Sequence, residues 1–158
     1  MENIAVVGIA NLFPGAKTPD EFWQNLLVKK DCRSKAGEYQ MGVDPEKYYG
    51  KKGDTDKYYC MHGGYVSDFH FDAKGYQMDA DYLSQLDDLF QWTLYVARQA
   101  LKDAGYWQSR ELQKCGAILG NLSFPTKSSN LLFLPLYHQT VDDAFRQQVC
   151  GKTFQCHL

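Results

Sequence analysis

The stretch that decides the fold runs from Ser84 to Asn121, SQLDDLFQWTLYVARQALKDAGYWQSRELQKCGAILGN. Apolar residues fall at Leu83, Leu86, Phe90, Leu94, Ala97 and Leu101, with Leu89, Thr93, Val96 and Ala100 widening the stripe. This three-and-four spacing puts them on one broad face of a helix. Ser84 and Asp87 have the spacing of a capping box, with Asp in place of the usual Glu or Gln. Gly105 suits the left-handed position that ends a helix. A helix over Ser84–Ala104 would be roughly 31 Å long, enough to cross a sheet layer. The short apolar run Cys115-Gly116-Ala117-Ile118-Leu119-Gly120 then reads as a strand buried on both faces. A helix feeding a buried strand is the unit of a layered α/β domain, and α/β is the class the sequence predicts.

Working outward, Ile4-Ala5-Val6-Val7-Gly8-Ile9-Ala10 is a continuous run rich in branched residues, suited to a second central strand. Asn11 to Lys17 turns the chain. A glycine-bearing turn after a first strand raises a nucleotide-binding reading, and the spacing argues against it. The dinucleotide fingerprint needs glycines at its first, third and sixth places, where this chain has Gly8, Ala10 and Phe13. The phosphate loop needs Gly-Lys-Ser/Thr; here Ala16 separates Gly15 from Lys17, and Pro14 removes an amide donor. Thr18-Pro19-Asp20-Glu21 is a helix start, with Thr18 as cap, Pro19 in the first turn and Glu21 closing the box. Phe22, Trp23, Leu26 and Leu27 give that helix an apolar face, and it runs to about Lys30. Lys29, Lys30, Arg33 and Lys35 read as a solvated helix end favoured by the helix dipole.

Between Ala36 and Gly75 glycine and tyrosine alternate with charges. Asp44-Pro45-Glu46 can start a short helix through Tyr49. Tyr58 to Val66 reads as a strand or hairpin arm bent at Gly63-Gly64. Phe69, Phe71 and Tyr76 are placed to pin this excursion onto the main layer. Leu122 to Asn130 reads as a polar loop, Leu131 to Tyr137 as an apolar stretch broken by Pro135, and His138 to Val149 as helical.

The bulk numbers fit this picture. The 158 residues are 44% apolar and 23% charged, with a net charge of −2. That describes a globular chain and gives no electrostatic footprint for nucleic acid or an anionic membrane. The apolar start is too short to span a bilayer and lacks the marks of a signal peptide, so a cytoplasmic location is expected. In that compartment Cys32, Cys60, Cys115, Cys150 and Cys156 are expected reduced, with Cys115 a small core residue. Cys60-Met61-His62 and Cys150 with Cys156-His157 fit no structural zinc spacing, so no metal site is expected. Spatial neighbours are invisible to sequence, so a Cys–His pair stays open, although nothing marks an activated thiolate. Asp87-Asp88 read as acidic residues of a first helical turn rather than as an acid/base pair. His70 and His138 are ordinary polar positions. The residues by themselves present no catalytic constellation.

They do carry a family resemblance over nearly the whole chain. Ile4 to Leu27, IAVVGIANLFPGAKTPDEFWQNLL, resembles the opening strand, turn and helix of the β-ketoacyl synthase domains of modular polyketide synthases. His62 to Tyr76, HGGYVSDFHFDAKGY, is similar to the stretch that follows in that family. ALKDAGY (Ala100–Tyr106) and CGAILGN (Cys115–Asn121) match its next helix and strand. The family's Met-Asp-Pro-Gln is replaced here by Leu86-Asp87-Asp88-Leu89. With MGVDPEKYY, KGDTDKYYC and GNLSFPTKSSN, that departure resembles the first ketosynthase domain of bacterial polyunsaturated-fatty-acid synthases.

The resemblance implies the N-terminal portion of a thiolase-like fold spanning residues 1–158, incomplete and ending before the catalytic cysteine. It implies decarboxylative condensation of acyl and malonyl units held on phosphopantetheinyl acyl carrier protein, by a cysteine and two histidines. It also implies as partners the rest of the domain and a second ketosynthase or chain-length-factor domain. The family's small-residue turn around its cysteine is absent. None of the five cysteines or four histidines stands in the family's context, so the resemblance assigns no catalytic, cofactor-binding or metal residue. Three readings follow: a ketosynthase portion inactive alone, a non-catalytic module that docks carrier protein or complements a synthase, and a nucleotide-binding domain. Open sheet faces would make the isolated polypeptide marginal or aggregation-prone.

Overall fold

A computed structural model describes residues 3–41, 44–55, 57–120 and 139–148. The chain divides into two units, Met1–Gly120 and Asn121–Leu158. Within the second, residues 139–148 form a helix whose side chains are all exposed, in agreement with the helical reading of that segment. The expected loop after Gly120, the stretch Leu131 to Tyr137 and the last residues lie outside the described set.

The regular parts of the first unit are mainly helical. Helix α1 spans Pro19–Leu27 and starts as its sequence dictates: the Thr18 side chain accepts from the Glu21 amide while the Glu21 carboxylate reaches back to the cap. The same carboxylate accepts from the Lys17 amide at 2.6 Å and the Thr18 amide at 3.2 Å. The preceding turn is closed by reciprocal backbone bonds between Phe13 and Ala16. Asn11 is buried there, its amide donating to the Ala16 carbonyl at 3.2 Å. Gly15 takes φ +71°, which its lack of a side chain permits. Asn25 of α1 donates to the Gly15 carbonyl at 2.8 Å, and Phe13 meets Phe22 edge-on at 4.9 Å, so turn and helix are one piece.

A two-residue strand β1 (Ser34–Lys35) pairs antiparallel with β2 (His62–Gly63), Ser34 opposite Gly63 and Lys35 opposite His62. The Ala36 amide extends the contact to the Met61 carbonyl at 2.7 Å. Between them lie short helices α2 (Glu38–Met41) and α3 (Pro45–Tyr48), the latter capped by Asp44 as expected. The arm foreseen over Tyr58–Val66 is thus reduced to β2 and one isolated bridge between Tyr49 and Tyr58.

The long helix is shorter than its apolar stripe suggests. Ser84 ends α4 (Ala80–Ser84) instead of capping the next helix, and Asp87 caps α5 (Asp88–Asp103). Two aspartates (Asp79 and Asp87) each accept from an amide two or three residues on, so two starts compete within eight residues and both win. Gln91 bridges the break, donating to the Leu83, Ser84 and Leu86 carbonyls. Helix α5 has 16 residues, about 24 Å. It ends as predicted, with Gly105 at φ +74°.

The central strands do not form. Residues 4–10 and 115–120 join no ladder, and their apolar side chains face solvent. Ile4 is 96% exposed, Val6 83%, Ile118 100% and Leu119 73%. A strand needs a partner strand as well as composition, and among the described residues neither segment is paired with one. Cys115, expected in the core, is exposed for the same reason. The buried apolar set of the described residues is accordingly small: Ala16, Ala36, Met61 and Leu83. Among them no helix is long and apolar enough to cross a membrane.

Candidate functional site

Among the described residues, the cysteines and histidines singled out by sequence do not assemble. The Cys60 thiol donates toward the His62 carbonyl at 3.6 Å, so its neighbour is a backbone acceptor and not an imidazole. Cys32 likewise faces a carbonyl, that of Lys30, at 3.9 Å. It lines an open groove of about 400 Å3 with Phe13, Pro14, Phe22, Leu26 and Lys30. His62 and His70 are exposed. Among the described residues no three His, Cys, Asp or Glu side chains gather as a metal-binding set. His138, Cys150, Cys156 and His157 lie outside them.

Asp87 and Asp88 take separate tasks. Asp87 caps α5, accepting from the Leu89 amide at 3.1 Å. Asp88 accepts a hydrogen bond from the Tyr39 hydroxyl, which pushes the Tyr39 pKa up to about 12. This agrees with the first-turn reading of the pair. Lys29, Lys30, Arg33 and Lys35 are all exposed, as the solvated reading expects, although α1 has no basic residue in its last turn. Arg33 instead makes a bidentate pair with Asp31, holding that carboxyl near a pKa of about 2, and Lys35 pairs with Glu46 at 2.8 Å. Local and cross-loop partners, not the helix dipole, fix these charges.

The residue that sequence reading misses is Arg98. It sits in the polar-looking part of α5, yet it is only 4% exposed. One guanidinium nitrogen donates to the Asp72 carbonyl at 2.6 Å and the Lys74 carbonyl at 3.1 Å. The guanidinium carbon lies 5.1 Å from the Tyr76 ring centre and 6.0 Å from that of Tyr95. Tyr76 donates to the Leu94 carbonyl at 2.7 Å and packs edge-on against Trp107, and Phe69 meets Tyr95 at 4.9 Å. The aromatic pinning expected of Phe69, Phe71 and Tyr76 is therefore present, with an arginine at its centre. A buried cation sandwiched by aromatic rings leaves no periodicity signal, because the residue type predicts exposure.

A third feature is the apolar surface left open by residues 4–10 and 115–120. The first segment touches α5 at Gly8, where a Cβ would stand 2.4 Å from the Ala100 carbonyl oxygen. The Ile9 amide donates to the Asp103 carboxylate at 2.9 Å. Together the features amount to a scaffold with two uncovered apolar segments and no reacting centre among the described residues.

Comparison with known proteins gives this scaffold its place. Residues 1–151 match the family described as Beta-ketoacyl synthase, N-terminal domain. The chain belongs to the β-ketoacyl synthase family. It is 72% identical to the PfaC keto synthase–chain length factor, superposing with a TM-score of 0.82 over 92% of this chain and 16% of that one. It is 30% identical over 146 residues to a polyunsaturated fatty acid synthase of Thraustochytrium sp. (strain ATCC 26185 / S-3), 91% of this chain and 5% of that protein. Polyketide synthase PksL of Bacillus subtilis (strain 168) is 33% identical over 127 residues, 76% of this chain and 3% of its own length. The chain thus spans a small part of the length of the relatives it matches. It is an N-terminal ketosynthase portion homologous to those of polyunsaturated-fatty-acid and polyketide synthases, and a thiolase-like fold comes with that membership.

Proposed function

We propose that this chain is the opening part of a ketosynthase domain that condenses acyl and malonyl units on acyl carrier protein in polyunsaturated-fatty-acid biosynthesis, and that it is inactive alone. The observation that carries this reading is the 72% identity to a keto synthase–chain length factor over 92% of the chain. In the proposed reaction a cysteine of the remainder of the ketosynthase domain, and none of the five in this chain, takes the acyl group from the carrier's phosphopantetheine thiol. Malonyl carrier protein loses carbon dioxide, its enolate carbon attacks the new thioester, and the cysteine thiolate leaves. The partners are acyl carrier protein, the remainder of the ketosynthase domain and a chain-length-factor or second ketosynthase domain. A cytoplasmic setting goes with this proposal. The part played by residues 1–120 is structural: α1, the Arg98 clamp and α5 hold the edges on which the sheet is completed.

The test is an extension assay with the purified chain, acyl carrier protein and malonyl carrier protein. No condensation above background is expected from the chain alone, and product is expected when the chain is joined to the downstream part of a ketosynthase. Condensation by the chain alone overturns the reading.

A further inference from the structure

We propose that the groove beside α1, lined by Phe13, Pro14, Phe22, Leu26, Lys30 and Cys32, is a binding site for an unesterified aliphatic carboxylate, its hydrocarbon chain laid along the rings and its head group held by Lys30. The proposal stands independently of the reaction proposed above.

The groove is built almost wholly by one continuous piece of chain, residues 13–33. The turn before α1 supplies Phe13 and Pro14, the helix supplies Phe22 and Leu26, and the residues after the helix return to close it. The return starts at Lys29, which takes φ +54°, the left-handed conformation that glycine usually fills at a helix end. The Lys30 amide then donates back to the Asn25 carbonyl at 2.9 Å, and Lys30 and Cys32 come to line the same groove as Phe22 and Leu26. Two glycines let the walls approach. A Cβ on Gly15 would stand 2.8 Å from the Cys32 sulfur, and one on Gly64 would stand 3.1 Å from the Pro14 ring. A side-chain-bearing residue held outside its ordinary backbone range is a feature that gathers at ligand sites.

The lining selects the occupant. Phe13, Phe22 and Leu26 remain 45%, 39% and 52% exposed, and a hydrocarbon chain laid on them removes that apolar surface from water. The volume of about 400 Å3 lies toward the lower end of the range of small-molecule sites. A peptide would bring amides and carbonyls that need partners, and the Asn25 amide already donates to the Gly15 carbonyl. An aliphatic chain brings none. No carboxylate lines the groove, and its cations are Lys30 and Arg33. Arg33 is held in its bidentate pair with Asp31. The Lys30 ammonium has no hydrogen-bond or ion-pair partner among the described residues. One free ammonium is matched by a singly charged head group, and a carboxylate is such a group.

Cys32 reports occupancy. The experiment alkylates the 158-residue chain with iodoacetamide in the presence of decanoate, kept below its micelle concentration, and reads each thiol by peptide mass spectrometry. Cys60 and Cys115 are exposed and lie outside the groove, so they serve as controls. Decanoate is expected to slow alkylation of Cys32 saturably and to leave both controls unchanged. Decan-1-ol, which has the chain without the charge, should need about tenfold more for the same protection, the weight of one charge-assisted hydrogen bond. K30M and L26Q should each raise the half-protecting decanoate concentration about tenfold. Both positions are exposed, so the variants keep the parent's circular dichroism. A chimera joining the chain covalently to the downstream part of a ketosynthase should give the same pattern, and serves where the chain alone does not stay folded. The proposal is overturned by a Cys32 already unreactive in the chimera without decanoate, or by equal shielding of all three thiols. Equal potency of the alcohol overturns it too, as does protection indifferent to K30M and L26Q.

Discussion

Gly8 and Ala100 stand so close that any side chain on the first would strike the second: a Cβ on Gly8 would meet the Ala100 carbonyl oxygen at 2.4 Å and the Ala104 Cβ at 2.8 Å. Both partners belong to the backbone or lie next to it, so the clash is not relieved by turning a flexible side chain. G8A is expected to lift residues 4–10 from α5 at a cost of about 1–3 kcal/mol. The measurement is hydrogen exchange at the Ile9 amide, which should lose its protection while the amides in the middle of α5 keep theirs. Equal protection at Ile9 in both proteins would show that the contact is not tight.

Arg98 is expected to be the most sensitive side chain of the first unit. R98L leaves the Asp72 and Lys74 carbonyls without their donor and removes the cation from between two rings. The expected loss is about 2–4 kcal/mol, read from urea unfolding followed by tryptophan fluorescence, with Trp107 next to Tyr76 as reporter. D72N should cost less than about 1 kcal/mol, because the ion pair at 3.9 Å has an aspartate side chain 69% exposed. Equal effects of the two variants would show that charge pairing, not the carbonyl bonds and ring contacts, holds the loop.

The capping box of α1 gives a graded prediction. T18A should weaken the helix by about 0.5–2 kcal/mol. E21Q, which keeps an acceptor for the Lys17 and Thr18 amides, should cost less than E21A. Exchange rates of the Lys17, Thr18 and Glu21 amides report each bond separately; a T18A protein with an unchanged Glu21 amide would contradict the assignment.

Tyr39 supplies a pH dependence. Its hydroxyl donates to Asp88, and its pKa is raised to about 12. A group whose folded pKa is raised contributes stability that is complete below its unfolded value of about 10 and is lost as the pH climbs toward the folded value. The contact between α2 and α5 should therefore hold up to about pH 10 and weaken between there and about pH 12. Ultraviolet absorbance of the phenolate during a base titration should show a late-ionising tyrosine that D88N returns to the ordinary range.

What is legible in the sequence is what is decided locally. Thr18 and Glu21, Asp44 and Pro45, and Gly105 act within a few residues of themselves, and the helix ends they mark fall where expected. The break between α4 and α5 escapes the sequence pattern because Ser84 and Asp87 carry the spacing of a cap, while Asp79 competes from further upstream. Residues 4–10 and 115–120 are strand-like in composition but not buried, since burial depends on partners that a segment's own residues do not encode. Arg98 escapes because its surroundings come from residues 22 to 26 positions away. The family is legible from the ordered set of motifs, each weak by itself.

The uncharged, solvent-facing ribbon from Ile4 to Ile9 also bears on biogenesis. A ribosome adding about 5–20 residues per second would take several seconds to reach the part of α5 on which that ribbon rests. Its seat on α5 depends on residues some ninety positions later. Until those emerge, the nascent chain is a ready client for chaperones that hold apolar segments.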